Sequence, residues 1–152
     1  MIQFKLAEKE QVEELVRISK AAFESDIQVG NTGVGGPPGY DSADCHHQMQ
    51  ESGHLYVLLD DETILGGAVL FQDAENPCMI HIDRIFVAPQ YHRKGYGIRL
   101  MEEITRVFER PCLFQLDTPI WNIRTSAFYQ KCGFQEISRS IEFIHFKKIL
   151  EN

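Results

Sequence analysis

Apolar residues recur along the chain with two different periods, and the switches between them mark out its elements. Ile2 to Leu6 predicts a short strand. From Glu8 to Glu24, Val12, Leu15, Val16, Ala22 and Phe23 fall at helical intervals. Gly30 to Tyr40 holds several glycines and the pair Pro37-Pro38; too polar and too broken for a core element, it reads as a surface loop. Asp44 to Ser52 predicts a short helix, and His54 to Asp60 with Thr63 to Phe71 a hairpin turning at Asp61-Glu62. Met79 to Val87 predicts a further strand, Lys94 to Glu109 a helix stopped by Pro111, Cys112 to Asp117 a strand, and Asn122 to Lys131 a helix. Phe134 to Ser138 and Ile141 to Leu150 close the chain as two strands. Strands outnumber helices and the middle runs β-α-β-α-β, so the class is α/β, or mixed α+β, around a central sheet.

Inside Met79 to Val87 the alternation breaks. Ile80 and Ile82 share one parity, Ile85 and Val87 the other. A strand buried on both faces produces this pattern. So does a bulge near Asp83-Arg84-Ile85, which switches the face and splays the strand from a neighbour. A splayed strand leaves N–H groups near Phe86 and Val87 for a ligand.

At 152 residues the chain reads as one domain, 1–152, large enough for a core without disulfides or metals. With 43% hydrophobic and 24% charged residues it has ordinary globular composition. No apolar run reaches membrane-spanning length, and Met1-Ile2-Gln3-Phe4-Lys5 leads into structure rather than a signal peptide. A formal charge of -7 argues against nucleic-acid binding and suits a cationic substrate. Cys45, Cys78, Cys112 and Cys132 show no C-x-x-C spacing, so reduced thiols and a cytoplasmic location are the default expectation. Cys45-His46-His47 reads as a polar helix face rather than a metal site, because adjacent residues rarely converge on one ion.

The candidate chemistry lies between Ile82 and Gly97. A strand pattern runs into the basic turn His92-Arg93-Lys94-Gly95-Tyr96-Gly97 and then into an amphipathic helix. Backbone N–H groups at a helix start, basic side chains and glycines together suit a phosphorylated ligand. Asp83 to Leu100 resembles the acyl-CoA-binding motif of the GNAT N-acetyltransferase superfamily, with its Gln/Arg-x-x-Gly-x-Gly/Ala signature. Asn122-Ile123-Arg124-Thr125-Ser126-Ala127-Phe128-Tyr129-Gln130-Lys131-Cys132-Gly133-Phe134 is similar to that family's Asn…Tyr…Gly-Phe segment. The element order matches over nearly the whole chain. One position departs: His92 stands where the family usually has Gln or Arg, so Arg93 and Lys94 are left to supply charge.

The resemblance implies a strongly twisted mixed sheet of about six or seven strands flanked by about four helices. It implies acetyl transfer from acetyl-CoA to a primary amine, small molecules favoured, by direct attack in a ternary complex without metal. Cofactor contacts are then expected from Ile85, Phe86, Val87, His92, Arg93, Lys94, Gly95, Tyr96, Gly97, Asn122 and Ser126. Such an amine, near pKa ~10.4, must first lose a proton, at a cost of roughly 4–5 kcal/mol at neutral pH. Asp83 is the preferred base, His81 the runner-up and Asp117 a third possibility. An N–H of Phe86 or Val87 would stabilise the oxyanion. Tyr129, two helical turns after Asn122, is the candidate acid for the departing thiolate, and Asn122 the helix cap.

Other features carry less. Gly30-Asn31-Thr32-Gly33-Val34-Gly35-Gly36 has no Lys-Ser/Thr ending and no preceding strand, so it reads as an acceptor-side loop rather than a nucleotide loop. Cys132 reads as packing, and Trp121, Tyr40 and Asp41 as possible acceptor-site neighbours. Two other readings remain: a peptide or protein N-acetyltransferase, and a noncatalytic acyl-CoA sensor. A homodimer is possible, and neither a nucleic-acid nor a membrane partner is expected.

Overall fold

The computed structural model describes residues 1–25, 36–108 and 110–150. In chain order the elements are β1 (Ile2–Leu6), α1 (Val12–Glu24), α2 (Ala43–Glu51), β2 (Leu55–Asp60), β3 (Thr63–Gln72) and β4 (Met79–Val87). They continue with α3 (Tyr96–Val107), β5 (Leu113–Pro119), α4 (Ile123–Lys131), β6 (Gln135–Arg139) and β7 (Phe143–Ile149). The strands form one seven-stranded sheet in the order β1-β2-β3-β4-β5-β7-β6. Every neighbouring pair is antiparallel except β4 and β5, which run parallel. The glycine-rich stretch from Gly30 to Gly35 lies outside the described residues.

Local chemistry explains the helix boundaries. A 3-10 turn, Lys9–Gln11, opens α1, and the Glu8 amide donates to Gln11 Oε1 at 2.9 Å. Val12, Leu15, Ile18 and Ala22 then bury one stripe of α1. Ser42 caps α2 by accepting from the Cys45 amide, and Asn122 caps α4 by accepting from Thr125, each at 3.1 Å. The third helix starts at Tyr96, not at Lys94 as expected. Arg93 and Gly95 have φ of 64° and 83°, left-handed values that no right-handed helix accommodates. At its other end β5 reaches Pro119, because β7 pairs with it as far as Phe143.

Two apolar cores sandwich the sheet. One joins Val12, Leu15 and Ile18 of α1 to Val57, Val69 and Phe86. The other joins Leu100, Met101 and Ile104 of α3 to Ile80, Ile82, Phe114, Tyr129 and Phe146. The bulge, not burial of the two sets on opposite faces, accounts for the parity break in β4. The ladder with β3 steps from Val69↔Arg84 to Leu70↔Ile82, which leaves Asp83 as the extra residue of a bulge. Ile80, Ile82, Ile85 and Val87 therefore all pack toward α3, while Phe86 packs toward α1.

The cysteines depart from expectation. Cys78 and Cys112 form a disulfide, whereas Cys45 and Cys132 are free. The bonded pair is separated by 34 residues, so no short spacing signals it. Parallel pairing of β4 with β5 brings the two together, and the Cys112 amide donates to the Cys78 carbonyl at 2.8 Å. Reduced thiols were thus the wrong expectation for this pair. Among the described residues no helix is long and apolar enough to cross a membrane.

Candidate functional site

The disulfide marks the closed end of a fork. The parallel ladder between β4 and β5 has only three rungs, Met79↔Leu113, Ile80↔Phe114 and His81↔Gln115. Each strand continues past that point with its outer neighbour alone. β4 follows β3 to Val87↔Gly66, and β5 follows β7 to Pro119↔Phe143. The inner edges beyond His81 and Gln115 are therefore unpaired with each other, and their main-chain groups need other partners.

Ladder alternation identifies the groups that face the gap. The Ala88 amide donates to Leu65 on β3 at 2.9 Å. Successive residues of an antiparallel strand turn their amides to opposite sides, so Val87 directs both N–H and C=O into the gap. Phe86 turns its N–H toward Gly67 of β3, and its ring packs near Phe23 and His46. Of the two expected oxyanion donors, Val87 is the one aimed at the gap; Phe86 is not. The Val87 carbonyl is already engaged, accepting a 2.7 Å bond from Nε2–H of His92. His92 thus braces the turn against β4 rather than pointing its Nε2 at a phosphate.

Beyond His92 the chain makes the basic turn. Arg93, Lys94 and Gly95 are exposed, and no acidic residue occupies the first turn of α3. The N-terminal amides of α3 and the positive end of its dipole are open to an anion. The two glycines do different things. A Cβ on Gly95 would meet nothing, so that glycine is needed for its positive φ. A Cβ on Gly97 would lie 3.1 Å from the Phe128 ring, so Gly97 lets α3 and α4 approach each other. Tyr96 stands edge-on to Tyr91, their rings 5.9 Å apart.

The opposite wall belongs to α4. Asn122 is buried, with its cap bond to Thr125, and Thr125 shares a 2.6 Å hydroxyl bond with Thr118 of β5. One turn later, Ser126 Oγ is buried without a hydrogen-bond partner among the described residues. Such an orphan is costly unless a ligand or water meets it. Tyr129 is buried among Phe128, Phe134 and Phe146, with ring separations of 5.4, 5.8 and 6.1 Å.

On the α1 face the gap opens into a cleft. His81 and Gln115, the last rung of the ladder, line it together with Asp117, Ser138 and His145. Asp83 lies at the bulge, where Arg84 Nε donates to its Oδ2 at 2.6 Å. Arg84 is buried, and its Nη2 donates to the Pro38 carbonyl at 2.9 Å, tying the approach to α2 onto β4. Tyr40 packs edge-on against Phe23 and donates to Glu24, and Trp121 is partly exposed at the start of α4. The structure brings Asp117 to His145 on β7, a pairing that sequence reading did not identify. Alternation in β5 and β7 places both on one face, but the register that aligns them is not local.

His46 and His47 diverge. His46 is fully buried and donates from Nδ1 to the Ser42 carbonyl, while His47 reaches Glu13 at 3.1 Å. Among the described residues no group of three or more His, Cys, Asp or Glu is placed to hold a metal ion. Burial pushes the Cys132 thiol above its ordinary range, which disfavours a nucleophilic role.

Comparison with known proteins agrees with this geometry. The model of the acetyltransferase (GNAT) family matches residues 13–134. The CoA complex of PaiA N-acetyltransferase from Thermoplasma acidophilum superposes with a TM-score of 0.79 at 16% identity, covering 99% of each chain. A GNAT-family acetyltransferase from Streptococcus agalactiae gives a TM-score of 0.85 at 16% identity, over 99% of this chain and 96% of that one. The uncharacterized protein YrkN of Bacillus subtilis is 31% identical over 81 residues, 53% of this chain but only 43% of its own length. The family match covers most of the sequence, and the fold is shared from end to end. This chain belongs to the GNAT acetyltransferase family.

Proposed function

We propose that the protein transfers an acetyl group from acetyl-CoA to the primary amine of a small molecule, by direct attack in a ternary complex. The observation that carries this reading is the fork itself. The Val87 N–H, without a partner among the described residues, faces a gap that ends at an exposed, left-handed basic turn at the start of α3. The pyrophosphate of the cosubstrate suits the amides after Gly95, with Arg93 and Lys94 adding charge. The pantetheine arm, rich in amides, suits the strand edge at Ile85 and Val87 on one side and Asn122 and Ser126 on the other. The orphaned Ser126 hydroxyl fits that assignment.

The chemistry follows from the same arrangement. Val87 N–H stabilises negative charge developing on the thioester oxygen. Tyr129 supplies a proton to the departing sulfur; a phenol near ~10 protonates a thiolate near ~8.5 at small cost once positioned. The amine approaches from the cleft on the α1 face, with His81 on its β4 lip and Asp117 with His145 opposite. Thiol release from acetyl-CoA, measured with a panel of amines and short peptides, tests the reading. Turnover with at least one small amine is expected. Acetyl-CoA binding without thiol release for any acceptor would leave a binding module instead.

A further inference from the structure

Ladder alternation sends Phe114, Leu116, Ile144 and Phe146 into the α3 core, and so turns Asp117 and His145 to the opposite face. There the two stand directly across from each other on β5 and β7. Nδ1–H of His145 donates to Asp117 Oδ1 at 2.5 Å, which fixes the neutral tautomer, and Nε2 has no hydrogen-bond partner among the described residues. The side chains are 33% and 47% exposed, so a solute can reach them. They border a cleft of about 390 Å³ that begins at His81 and Gln115, where β4 and β5 part.

We propose that His145, oriented by Asp117, takes the proton of the incoming amine, and that the acceptor carries a second polar group within reach of Gln115 and Ser138. This rests on the acyl-transfer reading above. A carboxylate on Nδ1–H holds an imidazole in the orientation in which Nε2 is the nitrogen that exchanges a proton. Asp83, by contrast, lies at the bulge of β4 with one oxygen already given to Arg84. Polar Gln115 and Ser138 share the cleft wall with apolar Leu116, Ile137 and Phe146, which suits an amino alcohol or a diamine, a second polar group carried on an alkyl spacer.

The ammonium of the acceptor loses one proton to His145 Nε2. Its freed lone pair forms the N–C bond, and the C–S bond breaks with its electrons on sulfur. Tyr129 protonates that sulfur and is itself restored by the second proton leaving the nitrogen. His145 then returns its proton to solvent. The charged groups around His145 are Asp117 on β5, Lys147 on β7 and His81 across the gap; on β6, Glu136 and Arg139 close on each other at 2.8 Å.

The test compares the parent with His145→Gln and Asp117→Asn, reading kcat/KM from mildly acidic to alkaline pH alongside calorimetric CoA affinity. The proposal expects His145→Gln to lose about 100-fold or more in kcat, with the acidic limb abolished and CoA affinity retained. Free imidazole should restore part of the rate to His145→Gly. A His145→Gln enzyme with parental rate and pH profile overturns the proposal. So does a slow variant that keeps the acidic limb and resists imidazole, since that marks a structural role. Equal turnover of an amino alcohol and an alkylamine of the same length overturns the acceptor class. A parent that binds CoA but releases no thiol with any amine overturns the acyl-transfer reading, and this base assignment with it.

Discussion

Nε2 of His92 lies 2.7 Å from the carbonyl oxygen of Val87, joining the basic turn to the last residue of β4. The fork frees that carbonyl from any strand partner, and the imidazole satisfies it. His92→Ala should cost about 1 kcal/mol in stability and weaken CoA binding, because the turn loses its brace. His92→Gln, which still offers an N–H donor, should recover much of both. Calorimetry and thermal unfolding on the two variants check this, and parental CoA affinity in His92→Ala would refute it.

The two glycines of the turn should respond differently. Gly95→Ala places a Cβ at φ 83° and should cost about 1–2 kcal/mol, chiefly from backbone strain. Gly97→Val meets the Phe128 ring, so its cost should fall when Phe128 is truncated to Ala. A double-mutant cycle in denaturant should give a coupling of about 1 kcal/mol or more. Additivity would show that the α3–α4 contact does not explain Gly97.

Tyr129→Phe should lower kcat by about 100-fold while leaving CoA affinity near parental, since the ring packing with Phe134 and Phe146 survives. Isothermal titration beside a thiol-release assay separates the two quantities. Parental turnover would remove Tyr129 from the mechanism.

The limits of sequence reading follow from what is local. The bounds of β1 and β4 and the cap at Asn122 were legible because alternation and capping act over a few residues. The parity break in β4 left a bulge and two-sided burial both open, and the register with β3 decided for the bulge. The start of α3 was placed too early, since a left-handed Arg93 leaves no compositional mark. The choice of Val87 over Phe86 needed the ladder with β3. The Cys78–Cys112 bond and the Asp117–His145 pair needed the register of strands far apart in sequence. At Gly97 the motif was visible, but the Phe128 ring it accommodates was not.

Buried His46 gives stability a pH dependence. Burial, with a smaller push from the Arg84 guanidinium, lowers its pKa, while the bond to the Ser42 carbonyl opposes the shift. The unfolded chain, with an imidazole near ~6.5, therefore binds the proton first as pH falls. Stability contributed by neutral His46 is present above that value and declines as pH drops from it toward the lower folded pKa. His46→Leu should flatten the slope of melting temperature against pH over this window. An unchanged slope would assign the dependence elsewhere.

A wedge that opens from one side needs a fixed apex, and here the apex is covalent. Cys78 and Cys112 sit one residue before β4 and β5, so their bond holds the pivot from which the strands diverge. Closing a 34-residue span contributes up to roughly 4 kcal/mol by restricting the unfolded chain. Reductant in the buffer would therefore act on the hinge as well as on any thiol reagent, and angular play gained there would be carried out to Val87 at the far end of β4.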